Sequence, residues 1–224
     1  MPNARPYVIC HMGPSIDGRI TGIGGVKSLT EAYERTAKTF NADAWIIGRI
    51  SMEPYAGKGK IPPAKSKPIP RSDFIVNADA ESYAIAIDPS GKLRWTSNAI
   101  DDDRVITILS EGVSNEYLAF LRSKQIPYLF GGKARIDLKK ILAKLQKNFG
   151  IERLLLEGGG KINGSFLAAG LMDELSVLIA PIANGSNDAP TLFDTGKRVN
   201  QGAKLSLIAM ERLENDIVWL RYKL

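Results

Sequence analysis

RLLLEGGGKINGSFLAAGLMDELSVLIAP, residues 153–181, joins a short apolar strand, a triple-glycine turn, a helix and a second strand. Leu154, Leu155 and Leu156 form a fully apolar run, the pattern of a strand covered on both faces. Gly158, Gly159 and Gly160 let the backbone turn sharply and bring its N–H groups close to an anion. The helix that opens near Lys161 adds the positive end of its dipole. Glu157 stands at the carboxyl end of the strand, where ligands bind in open α/β sheets. Taken alone, the glycines also fit a strand-to-helix turn with no ligand.

Outward from this stretch, strand and helix signals alternate, which predicts an α/β fold. Residues 7–12 read as a first strand, followed by the turn GPSIDGRITGIGG (13–25). Ser28 with Glu31 predicts a capping box for a helix carrying Leu29, Ala32, Tyr33, Ala37 and Phe40 on one face. Residues 44–47 read as a second strand ended by Gly48. Weaker strands are expected at 74–76 and 83–87 and a stronger one at 105–109. A helix over 114–123 leads to a short strand at 128–130. Asp137 caps the clearest helix, with Leu138, Ile141, Leu142, Leu145 and Phe149 at helical spacing and Gly150 as its stop. Strands at 204–210 and 217–222 flank a polar turn and predict an antiparallel hairpin. The expected architecture is one domain, residues 1–224, with a mostly parallel central sheet, flanking helices and an antiparallel C-terminal hairpin at the edge.

Composition narrows the function. The 224 residues suffice for one substantial core. No window reaches about 18 uninterrupted apolar residues, and the N-terminus lacks a secretory apolar region, so no membrane association is expected and a cytoplasmic location is. The single cysteine, Cys10, agrees with a reducing compartment. Thirty basic against 24 acidic residues give a formal charge of +6, which suits anionic ligands without requiring nucleic acid. Lys58, Lys60, Lys65, Lys67 and Arg71, interspersed with prolines, read as a mobile loop with solvated charges or as an electropositive lid over phosphates. No aromatic residues are interleaved with them as a nucleic-acid stacking platform requires. His11, the only histidine, lies in an apolar strand pattern and reads as a core residue, so neither a histidine zinc site nor another metal centre is expected. None of the Gly-Lys pairs is followed by Ser or Thr, which removes the P-loop. Hydride transfer from a bound cofactor remains the leading chemistry.

Gly48-Arg49-Ile50-Ser51 suggests a second anion site, Arg49 offering a planar charged fork and Ser51 a hydroxyl. A plain surface arginine and an N-cap serine fit the same residues. Two such sites suit NADPH, which carries a pyrophosphate and a remote 2′-phosphate.

LLLEGGGKINGSFLAAGLMDELSVLIAP, PYVICHMGPSIDGRI and AWIIGRISME together resemble the reductase domain of riboflavin biosynthesis, a relative of dihydrofolate reductase. The resemblance runs from about Pro6 to Leu224. It implies NADPH-dependent reduction of a small heterocyclic substrate, a ribosylaminopyrimidine phosphate, at its sugar carbon, usually within a homodimer. It also implies that Gly158, Gly159, Gly160, Lys161 and Ile162 hold cofactor phosphate, with Ser51 near the adenine ribose phosphate. Glu157 would face the substrate, and Asp17 with Gly18 would line the pocket near the nicotinamide. Either carboxylate could handle the proton that accompanies hydride; Asp17 also fits a simple turn residue. The chain departs from the family after its second strand, where Tyr55 replaces an aspartate and AGKGKIPPAKSKPIPR contains no recognisable substrate arginine. Gly48-Arg49-x-Ser51-x-Glu53 is instead similar to folate-type reductases. A non-catalytic nucleotide-binding module is the alternative from another class. A short-chain dehydrogenase fits Gly158-x-Gly160 and Gly164, but the required Tyr-x-x-x-Lys is missing.

Overall fold

The computed structural model describes residues 5–23, 27–58, 61, 68–196 and 202–224. Its elements run β1 (Tyr7–Met12), α1 (Lys27–Lys38), β2 (Ala44–Gly48), α2 (Arg49–Ala56), β3 (Tyr83–Ile87), β4 (Ala99–Ile100) and β5 (Asp103–Ser110). They continue with α3 (Asn115–Ser123), β6 (Tyr128–Gly132), α4 (Leu138–Phe149), β7 (Arg153–Leu156), α5 (Gly160–Ala168), β8 (Glu174–Ile179), β9 (Ser206–Arg212) and β10 (Val218–Lys223). The chain divides into two compact units, one essentially Asp43–Glu152 and the other Tyr7–Ala42 with Arg153–Leu224.

In the Asp43–Glu152 unit, β2, β3, β5 and β6 pair in parallel, and the short β4 adds antiparallel to β5. All five residues of β3 are buried, so the strand that reads weakly in sequence is an inner one paired on both sides. Against this sheet pack Met52 of α2, Trp95, and Tyr117, Leu118 and Leu121 of α3. Ser114 caps α3 by accepting from the Tyr117 amide at 3.2 Å. Asp137 caps α4 by accepting from Lys140 at 3.0 Å. Gly150 closes α4 in the left-handed conformation, φ 68°, as its position after the last buried residue predicts.

In the second unit, β7, β1 and β8 are parallel, β10 joins β8 antiparallel, and β9 joins β10 antiparallel. The C-terminal hairpin is therefore present at the edge. It turns through a short 3-10 segment in which Asn215 and Asp216 take φ near 57° and 59°, residue types that tolerate such values. Leu29 and Ala32 of α1 pack on Leu178, Ala180 and Ile217. The expected α/β class, mostly parallel sheet, flanking helices and antiparallel C-terminal strands are all found.

Two expectations change, and one short strand is added. Residues 74–76 do not form a strand; Phe74 makes a single antiparallel bridge to Tyr128, because local β-propensity is not matched by a continuous partner. Ser28 lies inside α1, which begins at Lys27, so it is not the N-cap. The two-residue β4 was not foreseen, being too short to show alternation. Of the basic loop, Lys60, Lys65 and Lys67 lie outside the described residues, as do Gly24 and Gly25; Lys58 and Arg71 are exposed. No helix among the described residues is long and apolar enough to cross a membrane.

Candidate active site

Because β1, β7 and β8 are parallel, their carboxyl ends share one edge, and the turns that leave them meet there. The turn after β7 begins at Glu157. Gly158 follows with φ 100°, a conformation that side chains rarely adopt, and a Cβ there would meet the Met12 Sδ and Cε at 3.0 Å. Gly159 is the N-cap of α5 with φ −27° and ψ 168°, so the positive φ belongs to its predecessor. The amides of Ile162 and Asn163 both donate to Gly159 O, at 3.0 and 3.1 Å. Those of Gly160 and Lys161 thus precede the helical ladder and have no acceptor among the described residues. With the helix dipole behind them and the exposed Lys161 beside them, they suit a phosphate.

The third glycine answers to a different constraint. A Cβ on Gly160 would lie 2.2 Å from Thr191 O, and one on Gly164 2.2 Å from Asp194 O, because the backbone of residues 191–195 crosses directly over α5. Gly160 and Gly164, two members of the dehydrogenase-like spacing, are thus required by close backbone packing.

Beside this turn is a cleft of about 260 Å³ lined by Met12, Gly13, Leu29, Thr30, Tyr33 and Glu157. Glu157 is half-buried. Tyr33 is held at the wall by its hydroxyl, which donates to His11 O at 2.9 Å, and by its ring, 4.3 Å from the imidazole. His11 Nε2 lies 3.1 Å from Tyr33 O, an acceptor only, so Nε2 carries the proton. Nδ1 then accepts from Ser176 Oγ at 2.9 Å, and Ser176 Oγ in turn accepts from Trp219 Nε1 at 2.8 Å. Burial lowers the His11 pKa to about 4, with the Tyr33 carbonyl opposing the shift. His11 is thus a neutral core residue behind the cleft, as its strand pattern predicts.

Asp17 is committed elsewhere. Its Oδ1 accepts from Ser15 Oγ at 2.6 Å and from the Asn184 amide at 3.0 Å, and its Oδ2 from the Gly185 amide at 2.9 Å. The Ser15 hydroxyl first, then the two amides, hold its carboxyl well below the usual range. Asp17 is ionised near neutrality, has no proton to give, and is not among the cleft residues. Expectation paired Asp17 with Glu157 at the ligand edge; only Glu157 lines the cleft, and Asp17 staples the loop that follows β8.

In the other unit, Gly48 caps α2 with an extended backbone, φ −77° and ψ 160°, and no side-chain cap. Ser51 is an exposed residue of the first helical turn. Arg49 forms an ion pair with Glu53 one turn on, so its fork is engaged within the helix. Met12, Gly13, Leu29, Thr30 and Tyr33 went unrecognised as site residues. Leu29 and Tyr33 are legible as the inner face of α1, but periodicity cannot tell a face against core from one that borders a cleft. No cluster of potential metal ligands occurs among the described residues.

A turn with amides open to an anion, beside a cleft at the carboxyl edge of a parallel sheet, is the layout of a nucleotide-binding α/β protein. Residues 6–219 match the family described as the RibD C-terminal domain, and the chain belongs to that family. It is 30% identical over 215 residues to the 2,5-diamino-6-ribosylamino-4(3H)-pyrimidinone 5′-phosphate reductase of Methanothermobacter thermautotrophicus, covering 93% of this chain and 92% of that protein. To the reductase of the same name from Archaeoglobus fulgidus it is 24% identical over 200 residues, covering 85% and 87%. In fold it is similar to a pyrimidine reductase-like protein from Corynebacterium diphtheriae, with a TM-score of 0.72 at 16% identity, over 97% of this chain and 91% of that one.

Proposed function

We propose that this chain is an NADPH-dependent reductase of a ribosylaminopyrimidine 5′-phosphate in riboflavin biosynthesis, acting at the sugar carbon. The observation that carries this reading is the Gly158–Lys161 turn, with two amides open to an acceptor, next to a cleft walled by Glu157. A nicotinamide cofactor bound there supplies the hydride. Gly158, Gly159, Gly160, Lys161 and Ile162 hold its phosphate, and Glu157 orients the substrate and handles a proton at its carboxylate. Asp17, kept ionised, orders the Asn184–Gly185 backbone of the loop after β8 rather than donating a proton. Gly48, Arg49 and Ser51 carry a further anion contact, Arg49 exchanging Glu53 for the anion. The similarity of Gly48-Arg49-x-Ser51-x-Glu53 to folate-type reductases makes a pterin the second substrate to assay.

The family match runs through both units, which supports reading residues 1–224 as one reductase domain. A homodimer belongs to the same proposal. The edge strand β9 is exposed along its length and presents Leu207 at 57%, Ile208 at 48% and Met210 at 71% exposure, an apolar edge of the kind that pairs with a second copy. Cytoplasmic residence is supported by the buried, unpaired Cys10.

The test is a fluorescence titration with NADPH followed by turnover measured at the nicotinamide absorbance. Gly159→Asp, which places a carboxylate among the phosphate-binding amides, is expected to weaken NADPH by about 100-fold or more while the protein stays folded. Unchanged affinity in folded Gly159→Asp would show that the turn holds no cofactor.

A further inference from the structure

Segment 189–194 is hydrogen-bonded along both of its sides. On one side Ile20 N–H donates to Pro190 O at 3.0 Å, Leu192 N–H to Gly18 O at 3.0 Å, and Arg19 Nη1 to Ala189 O at 2.8 Å. On the other, Asp194 N–H donates to Gly160 O at 2.9 Å and Asn163 Nδ2 to Leu192 O at 3.1 Å. The segment is therefore a strap between the turn at residues 18–20 and the first turn of α5. Gly160 and Gly164 let it approach within backbone contact of the helix.

Asn163 lies between these glycines and is wholly buried. Leu192 O can only accept, which fixes the amide nitrogen toward the strap. The consequence is that Asn163 Oδ1 is buried with no hydrogen-bond partner among the described residues. An apolar side chain of similar volume would fill the space without that unpaired oxygen, so the asset of asparagine here is its nitrogen. The same nitrogen lies 3.8 Å from where a Cβ on Gly158 would stand, next to the residue with φ 100°.

We propose that Asn163 is a positioning residue for the reductase: its amide pins the strap onto α5, and through the strap the turn at residues 18–20 and the glycine turn keep one common arrangement. This rests on the proposed role of the glycine turn in holding cofactor phosphate. Asn163 acts through the backbone of Leu192 rather than on any reacting atom.

The experiment uses the full chain with Asn163→Leu, which keeps volume and removes the donor, and Asn163→Ala as a second variant should the first not fold. Amide hydrogen exchange is followed at Leu192 and Ile20, whose N–H groups lie on the far side of the strap, alongside NADPH titration. Exchange at both amides is expected to quicken by about tenfold or more and NADPH affinity to fall by about tenfold. Leu142→Ala, on the buried face of α4, serves as a comparator: it destabilises the protein but is expected to leave NADPH affinity unchanged. Native exchange at Leu192 and Ile20, or native NADPH affinity in Asn163→Leu while Gly159→Asp loses it, would overturn the pinning role and leave the cofactor reading intact. Intact affinity in Gly159→Asp would instead count against the cofactor reading, and exchange at Ile20 alone would then decide whether Asn163 holds the strap.

Discussion

The two glycine turns that follow β2 and β7 share the same ingredients, an apolar strand, a glycine and a helix N-terminus, yet they are built differently. At the first, Gly48 keeps an extended backbone any residue can adopt, Ile50 and Ser51 face solvent, and Arg49 pairs with Glu53. At the second, Gly158 needs its left-handed φ, while Gly160 and Gly164 are pressed by the carbonyl oxygens of Thr191 and Asp194. One helix start is open and governed by charge; the other is enclosed and governed by space. A glycine-rich turn therefore carries separable requirements of conformation, of packing and of ligand access. In this chain they fall on different glycines of one motif.

The sharpest way to break this comparison is to add a methyl group on each side. Gly164→Ala places a Cβ 2.2 Å from Asp194 O and 2.3 Å from its carbon, backbone atoms that cannot rotate away. A loss of about 3 kcal/mol or more in unfolding free energy is expected. Ile50→Ala on α2, at a side chain 72% exposed, should stay within about 0.5 kcal/mol. Denaturant unfolding of the two variants reads the contrast directly, and equal small losses would erase it.

Behind the enclosed turn runs a buried polar chain, Trp219 to Ser176 to His11 to Tyr33. The His11 pKa is lowered from 6.5 to about 4, so the folded protein binds its proton less readily than the unfolded chain. The stabilisation is complete above about pH 6.5 and is lost as pH falls through about 4; across that window it amounts to about 3 kcal/mol. Stability measured between pH 7 and pH 4 should fall steeply in the native protein. The histidine part of that slope should vanish in His11→Asn, and an identical slope in both would remove His11 from the titration.

The smallest effect is expected at the open turn. Arg49→Ala should change stability by less than about 1 kcal/mol, since its ion pair with Glu53 lies within one helix and is partly open to solvent. It should weaken NADPH by about tenfold while leaving NADH nearly unaffected, because only the former carries the 2′-phosphate. Equal losses for the two cofactors would take Arg49 out of anion recognition and leave the first turn without a ligand role.

Much of this was legible because it is local. Asp137 and Gly150 announce the ends of α4 with their own side chain and backbone preference, and the three leucines of β7 mark a covered strand. The strand at 83–87 reads weakly for lack of alternation, since both its faces are buried. At the site, the glycine turn and Glu157 could be placed from the order of strand, turn and helix. Thr30 and Tyr33 at the cleft wall could not, because α1 shows only one apolar face.

The sequence by itself determined the α/β alternation, the limits of α4, the C-terminal hairpin and the position of the glycine turn after β7, all consequences of interactions within a few neighbouring residues. Only the tertiary structure decided that Asp17 spends its carboxylate on Asn184 and Gly185, 167 and 168 residues away. It alone decided that Gly160 and Gly164 serve a strap some 30 residues downstream, 29 separating Asn163 from Leu192. Contacts of that separation leave no periodic trace in the chain, since they are set by which backbone segments the folded sheet brings within van der Waals reach.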